Sequence, residues 1–149
     1  MEELLQVYRQ SVGRNSNLLL NATPGPDGLI PEAHMQRYEE LGREIQRRYG
    51  GQVAETSGRG DSVVLDLGQA TTINGAVLQE DIAQGERVRS YRLEAQVASG
   101  EWVTVSEGTC VGHKKIEVFA PITATRLRLQ VQQSTAEPQV LRLGALAEA

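Results

Sequence analysis

The sequence predicts a mainly β protein, an antiparallel β-sandwich preceded by one helix-strand-helix unit. Three observations carry this. Past residue 62 the apolar residues alternate with period two, turn residues interrupt that alternation at short intervals, and helical spacing is confined to the first fifty residues.

In the first segment Leu4, Leu5 and Tyr8 recur at helical spacing until Gly13 and Asn15 break the period. The compact run Leu18, Leu19, Leu20 suits a short, fully buried strand. Two prolines and two glycines between Ala22 and Leu29 mark a turn region. Pro31 and Glu32 then suit the first turn of a second helix, where the proline lacks an N–H it would not need and the acid meets the positive end of the dipole. Met35, Tyr38, Leu41, Ile45 and Tyr49 form its apolar stripe, Arg47 and Arg48 its last turn, and Gly50-Gly51 its stop. A strand as apolar as Leu18–Leu20 requires neighbours on both edges and cover on both faces. Nothing else in the chain supplies parallel neighbours, so the first half is expected to associate, either with the remainder of a larger protein or with a second copy.

The polar, glycine-rich stretch 51–61 reads as a linker and residues 62–149 as the sandwich. Val63, Leu65 and Leu67 alternate with exposed-type neighbours, as do Tyr91, Leu93, Ala95 and Val97, and again Leu127, Leu129 and Val131. Between them lie Thr72–Leu78, Trp102–Ser106, Ile116–Phe119 and Val140–Leu143, with turns at Gly85, Ser99-Gly100, Gly108, Gly112 and Pro121. About seven short strands at this spacing suit a sandwich or jelly roll.

Net charge is −4 with both signs interspersed, so no sustained basic surface is available for a phosphate backbone or an anionic bilayer. Neither nucleic acid nor membrane is an expected partner. The start MEELLQVYRQ lacks the continuous apolar core of a secretory signal, and no window has the length of apolar residues needed to span a bilayer. Cys110 is the one cysteine and stands with just His34 and His113, too few for a four-ligand Cys/His zinc site. No metal or other cofactor is expected.

Two sets of residues resemble one family. Ser11–Ile30, SVGRNSNLLLNATPGPDGLI, is similar to the last barrel strand and following loop of α-L-fucosidases of glycoside hydrolase family 29. Val77–Val97, with Glu107–Lys115 and Thr123–Val131, resembles the discoidin-like, factor 5/8 type C sandwich (a galactose-binding-like fold) that follows that barrel. The resemblance implies a C-terminal portion of such a hydrolase, with residues 1–50 the end of a (β/α)8-like barrel. The family's nucleophile and acid/base residue have no counterpart here, so the chain is expected to be inactive alone and to work with the missing barrel portion. The parent enzyme would be secreted, periplasmic or lysosomal. A free-standing carbohydrate-binding module or an adhesion module is the alternative.

Each candidate site carries two readings. Retaining hydrolysis needs two carboxylates about 5 Å apart flanking a pocket. Glu80 and Asp81 are adjacent in sequence, so strand geometry sends them to opposite faces, and a solvated turn is the expected role. Sugar sites combine an aromatic platform with hydrogen-bonding groups. Tyr91, Trp102 and Phe119 are expected in the core, leaving Arg87, His113 and Lys114 as loop candidates for weak, about millimolar, binding of fucosylated glycans. Arg59-Gly60-Asp61 matches the integrin-type adhesion tripeptide, a string that glycine-rich linkers also produce by chance. Cys110 reads as a small filler, with Lys114 close enough in sequence to influence its thiol.

Overall fold

A computed structural model describes residues 1–147 and 149. Two helices, α1 (Glu2–Ser11) and α2 (Glu32–Ile45), precede strands β1 (Ala54–Arg59), β2 (Ser62–Glu80), β3 (Val88–Gln96), β4 (Trp102–Gly108), β5 (Lys115–Ser134) and β6 (Gln139–Leu146). The strands pair antiparallel in the order β1-β6-β2-β5-β3-β4.

One continuous ladder makes both layers of the sandwich. β2 and β5 run for 19 and 20 residues, several times the ordinary strand length, and pair with each other at both ends. Their register slips between Asp66 and Thr71, where Gly68 takes φ +73° and donates its N–H to Asp66 Oδ1 at 2.8 Å. Before the slip, residues 62–66 and 126–130 join β3 and β4 in one layer; after it, residues 75–80 and 115–118 join β6 and β1 in the other. Val63, Leu65, Leu127 and Leu129 of the first layer share one buried cluster with Ala76, Leu78 and Leu143 of the second. Val63–Leu67 with Thr72–Leu78, and Ile116–Phe119 with Leu127–Val131, read in the sequence as four strands, are thus two folded-over ones.

The stretch read as a linker is partly strand. Ala54, Thr56 and Gly58 are half-buried while Glu55, Ser57 and Arg59 are exposed, and β1 pairs with β6. Its inward residues are small rather than apolar because Val63 of the next strand lies close above Gly58, where an added Cβ would sit 3.1 Å away.

The helix-strand-helix unit has no strand. Residues 16–21 form no ladder, and Leu19 is 88% exposed. An extended backbone without a partner strand leaves its N–H and C=O groups unpaired, and this chain supplies none beside it. The preceding residues do attach: Ile116 donates its N–H to Gly13 O at 3.0 Å, Arg14 bridges to Lys115, and Asn15 (φ 68°) exchanges two hydrogen bonds with Lys114. Pro31 stands at the N-cap of α2, one place earlier than the sequence suggests, and the helix widens into a π turn over Gln46–Gly50.

The stripe of α2 packs on this chain's own sandwich. Leu41 and Tyr49, with Leu5 of α1, cover Val77, Ile116 and Leu146, which point outward from the second layer. Tyr8 stacks on Tyr49 at 5.7 Å between ring centroids, and Lys114 Nζ donates to Tyr8 Oη at 3.0 Å. Self-association through the whole stripe is therefore not what the fold requires; Met35, Leu29 and the run around Leu19 stay exposed. Because Leu5 is fully buried at this junction, Leu5→Ala should cost about 2–5 kcal/mol, read from urea unfolding as a lowered midpoint at unchanged slope.

Candidate functional site

The loops 60–61, 81–87, 109–114 and 135–138 gather at the end of the sandwich opposite the β2 bend, and Glu80 ties two of them, 81–87 and 109–114, together. Its carboxylate is 1% exposed. Oε1 accepts the N–H groups of Arg87 at 2.7 Å and Val88 at 3.0 Å, and Oε2 accepts that of Gly112 at 3.3 Å. Charge-assisted bonds of this kind offset the cost of burying the acid. Glu80 is a buried clamp rather than the solvated turn residue expected of it. Asp81 closes a turn by accepting the Ala83 N–H at 3.0 Å. Neither oxygen pair faces a pocket with the other.

Arg87 is held on both sides of the same end. Its guanidinium donates to Glu137 O and to Gln84 Oε1, each at 2.8 Å, and its carbonyl accepts the Thr135 N–H at 2.9 Å. His113 is exposed in the neighbouring loop, its carbonyl taken by Gln79 Nε2 at 3.1 Å. Lys114 turns away from both to reach Tyr8. The structure thus brings Arg87 and His113 to one end and directs the Lys114 ammonium to the helices.

Arg59-Gly60-Asp61 forms the tight turn between β1 and β2, with Gly60 at φ +89°. Gly60 donates to Pro138 O at 3.0 Å, and the Asp61 carbonyl accepts the Val131 N–H at 2.8 Å. Backbone anchoring fixes the turn while the Arg59 and Asp61 side chains stay exposed.

Further buried polar groups lie inside the sandwich. Tyr91, with no exposed surface, donates its hydroxyl to Glu117 Oε1, and Ser106 Oγ donates to Glu117 Oε2 at 3.1 Å. Burial, and then the Glu117 carboxylate, pushes the phenol well above its ordinary range. Burial lowers the Lys115 ammonium, whose Nζ reaches Thr109 O at 3.4 Å. Cys110, expected as a small buried filler, is half-buried with φ 54°.

Trp102 departs furthest from expectation. It lies on the outer face of the β4-β3-β5-β2 layer, half-buried, with the Arg128 guanidinium 4.2 Å from its ring centroid. Cross-strand rows run over this face: Trp102, Gln96, Arg126 and Asp66 in one, Thr104, Glu94, Arg128 and Val64 in the next. Arg128 pairs with Glu94 at 2.7 Å, Arg126 with Asp66 at 3.2 Å and, one row further, Arg92 with Glu107 at 2.8 Å. The Gly68 N–H, and then Arg126, hold the Asp66 carboxyl below its ordinary range. Beside the first row a shallow trough of about 300 Å³ opens between the β2 bend and the 97–100 hairpin. The twofold alternation of Arg126, Arg128 and Gln130 had marked this face as outward; the position of Trp102 after a hairpin had not. Among the described residues no helix is long and apolar enough to cross a membrane.

A two-layer antiparallel sandwich whose loops gather at one end is the architecture of a discoidin-like module. Residues 48–143 match the F5/8 type C domain family, and the chain belongs to it. Over 97% of its length it is similar to the putative alpha-L-fucosidase of Bacteroides thetaiotaomicron VPI-5482, at 46% identity and a TM-score of 0.94, covering 33% of that chain. A glycoside hydrolase 29 family member from an unknown rumen bacterium is 33% identical with a TM-score of 0.88, over 99% of this chain and 28% of that one. Alpha-L-fucosidase 1 of Arabidopsis thaliana is 28% identical over 95% of this chain and 35% of its own length. The chain thus spans about a third of the length of the curated relatives it matches.

Removing the Glu80 carboxylate would leave three N–H groups without their acceptor. Glu80→Ala is expected to cost about 3 kcal/mol or more, since each unsatisfied buried donor costs about 1–3 kcal/mol. Thermal unfolding, with amide exchange rising first in residues 81–88 and 109–114, would check it.

Proposed function

We propose that this chain is a non-catalytic, C-terminal portion of an α-L-fucosidase-like glycoside hydrolase, bracing a catalytic barrel and contacting fucosylated glycans weakly. The observation that carries the reading is the extent of the likeness. It takes in the helical segment ahead of residue 48, outside the F5/8 type C match, so the relatives carry helices and sandwich together. Leu19 and Leu29, 88% and 68% exposed in that segment, suit an interface to the remaining two-thirds of such an enzyme.

The chemistry of the buried acids supports the non-catalytic part. A retaining hydrolase needs one carboxylate free to attack and one able to give a proton to the leaving oxygen. Here Glu80 is held by three backbone N–H groups and Glu117 by Tyr91 and Ser106. Each holds structure together instead of facing a substrate.

The purified chain is expected to leave an aryl α-L-fucoside unhydrolysed and to form a complex, visible in sedimentation, with the Bacteroides thetaiotaomicron relative truncated of its matching third. Turnover by the chain alone would overturn the non-catalytic assignment, and absence of any complex would overturn the bracing role.

A further inference from the structure

We infer that the glycan contact lies on the outer face built around Trp102, Gln96, Arg126 and the Arg128–Glu94 pair, and that its ligand is a neutral oligosaccharide. This rests on the carbohydrate part of the proposed function and assigns it a place away from the clamped loop end.

The charge on the face selects the ligand. Arg126, Arg128 and Arg92 are each paired with an acid, so the face has no net charge to attract phosphate, sulfate or carboxylate groups. A protein partner fits poorly, because interface cores are depleted of charge and this face is mostly charged. A neutral polyol meets both conditions. Its hydroxyls can accept from guanidinium N–H groups and donate to carboxylate oxygens without disturbing their pairing, and its apolar ring face needs an aromatic surface to lie against.

The groups are also held in place before any ligand arrives. Arg128 is fixed between the Trp102 ring and two bonds to Glu94, at 2.7 and 2.8 Å. Gln96 donates to Gly100 O at 3.0 Å, and Arg126 Nε donates to Asp66. Pre-ordered side chains lose little rotamer freedom on binding, which is where weak polar sites usually lose affinity. The adjoining trough shares Asp66, Gln96 and Arg126 with the first row and offers room for a second sugar residue.

Trp102 is the chain's one tryptophan, so its emission reports this face and no other. Titration of the intact chain with 2′-fucosyllactose should give a saturable emission change with a dissociation constant of about millimolar. Amide NMR shifts should concentrate in residues 94–104 and 126–128. Trp102→Ala and, separately, Gln96→Ala should weaken binding about tenfold when followed by NMR. Binding with silent emission and shifts confined to residues 81–88 and 109–114 would overturn this face while leaving the carbohydrate reading intact. No binding by either method at tens of millimolar would overturn both, leaving the bracing role to its own sedimentation test. A sulfated oligosaccharide binding as well as the neutral one would overturn the assigned ligand class.

Discussion

Residues 75–78 of β2 and 115–117 of β5 are buried on both faces, and the positions of the other elements follow from that constraint. Ala76 and Leu78 point into the sandwich while Val77 and Ile116 point out of it. A sheet segment apolar on both sides must be covered twice. β3, β4 and the far halves of β2 and β5 cover the inner side; α1 and α2 cover the outer. The helical segment is therefore a second core, built on the sandwich, with Leu5, Leu41 and Tyr49 as its filling.

The polar interior follows the same logic. Where a folded-over ladder brings loops together, backbone N–H groups point inward and need acceptors. Glu80 supplies one for three of them, which accounts for the spacing of Glu80 from Arg87-Val88: the acid ends β2, and two of the amides it takes stand at the entry to β3. Tyr91 and Glu117 satisfy one another across the layers, and Gly108 is needed beside them because the Tyr91 ring occupies the space a side chain would take. These groups are spent on folding. Groups available for recognition are then those on the solvent side of the first layer and at the exposed turns.

Most of the sandwich was legible because its strands alternate, as Val63-Leu65 and Leu127-Leu129 do. The short apolar run Ala76–Leu78 also carried a signal, two-faced burial, that points to a covering layer and hence to the α2 stripe. β1 was obscured because its inward positions are Ala, Thr and Gly, which carry no hydrophobic alternation. Leu18–Leu20 has the composition of a strand, yet pairing depends on a neighbour that composition cannot provide. Trp102 illustrates a different loss: burial tendency assigns a large aromatic to the core, while a cation-π contact with Arg128 lets it lie on a charged face. Glu80 was misread because adjacent acids suggest solvent, and one of the three amides that bury it, that of Gly112, comes from a loop distant in sequence.

A sandwich with a permanently attached helical layer offers a rigid mount, which is what a bracing module requires. Leu19 and Leu29 project from that layer while its base is locked to β5 through Gly13, Asn15 and Lys114. The central claim is that the two cores act as one unit through the shared strands. Native-state hydrogen exchange tests it directly. Amides of α2 around Leu41 and of β2 around Val77 should open with the same free energy and the same denaturant dependence. If the helices exchanged through a separate, low-energy opening while β2 stayed protected, the helical layer would be an appendage and the account would fail.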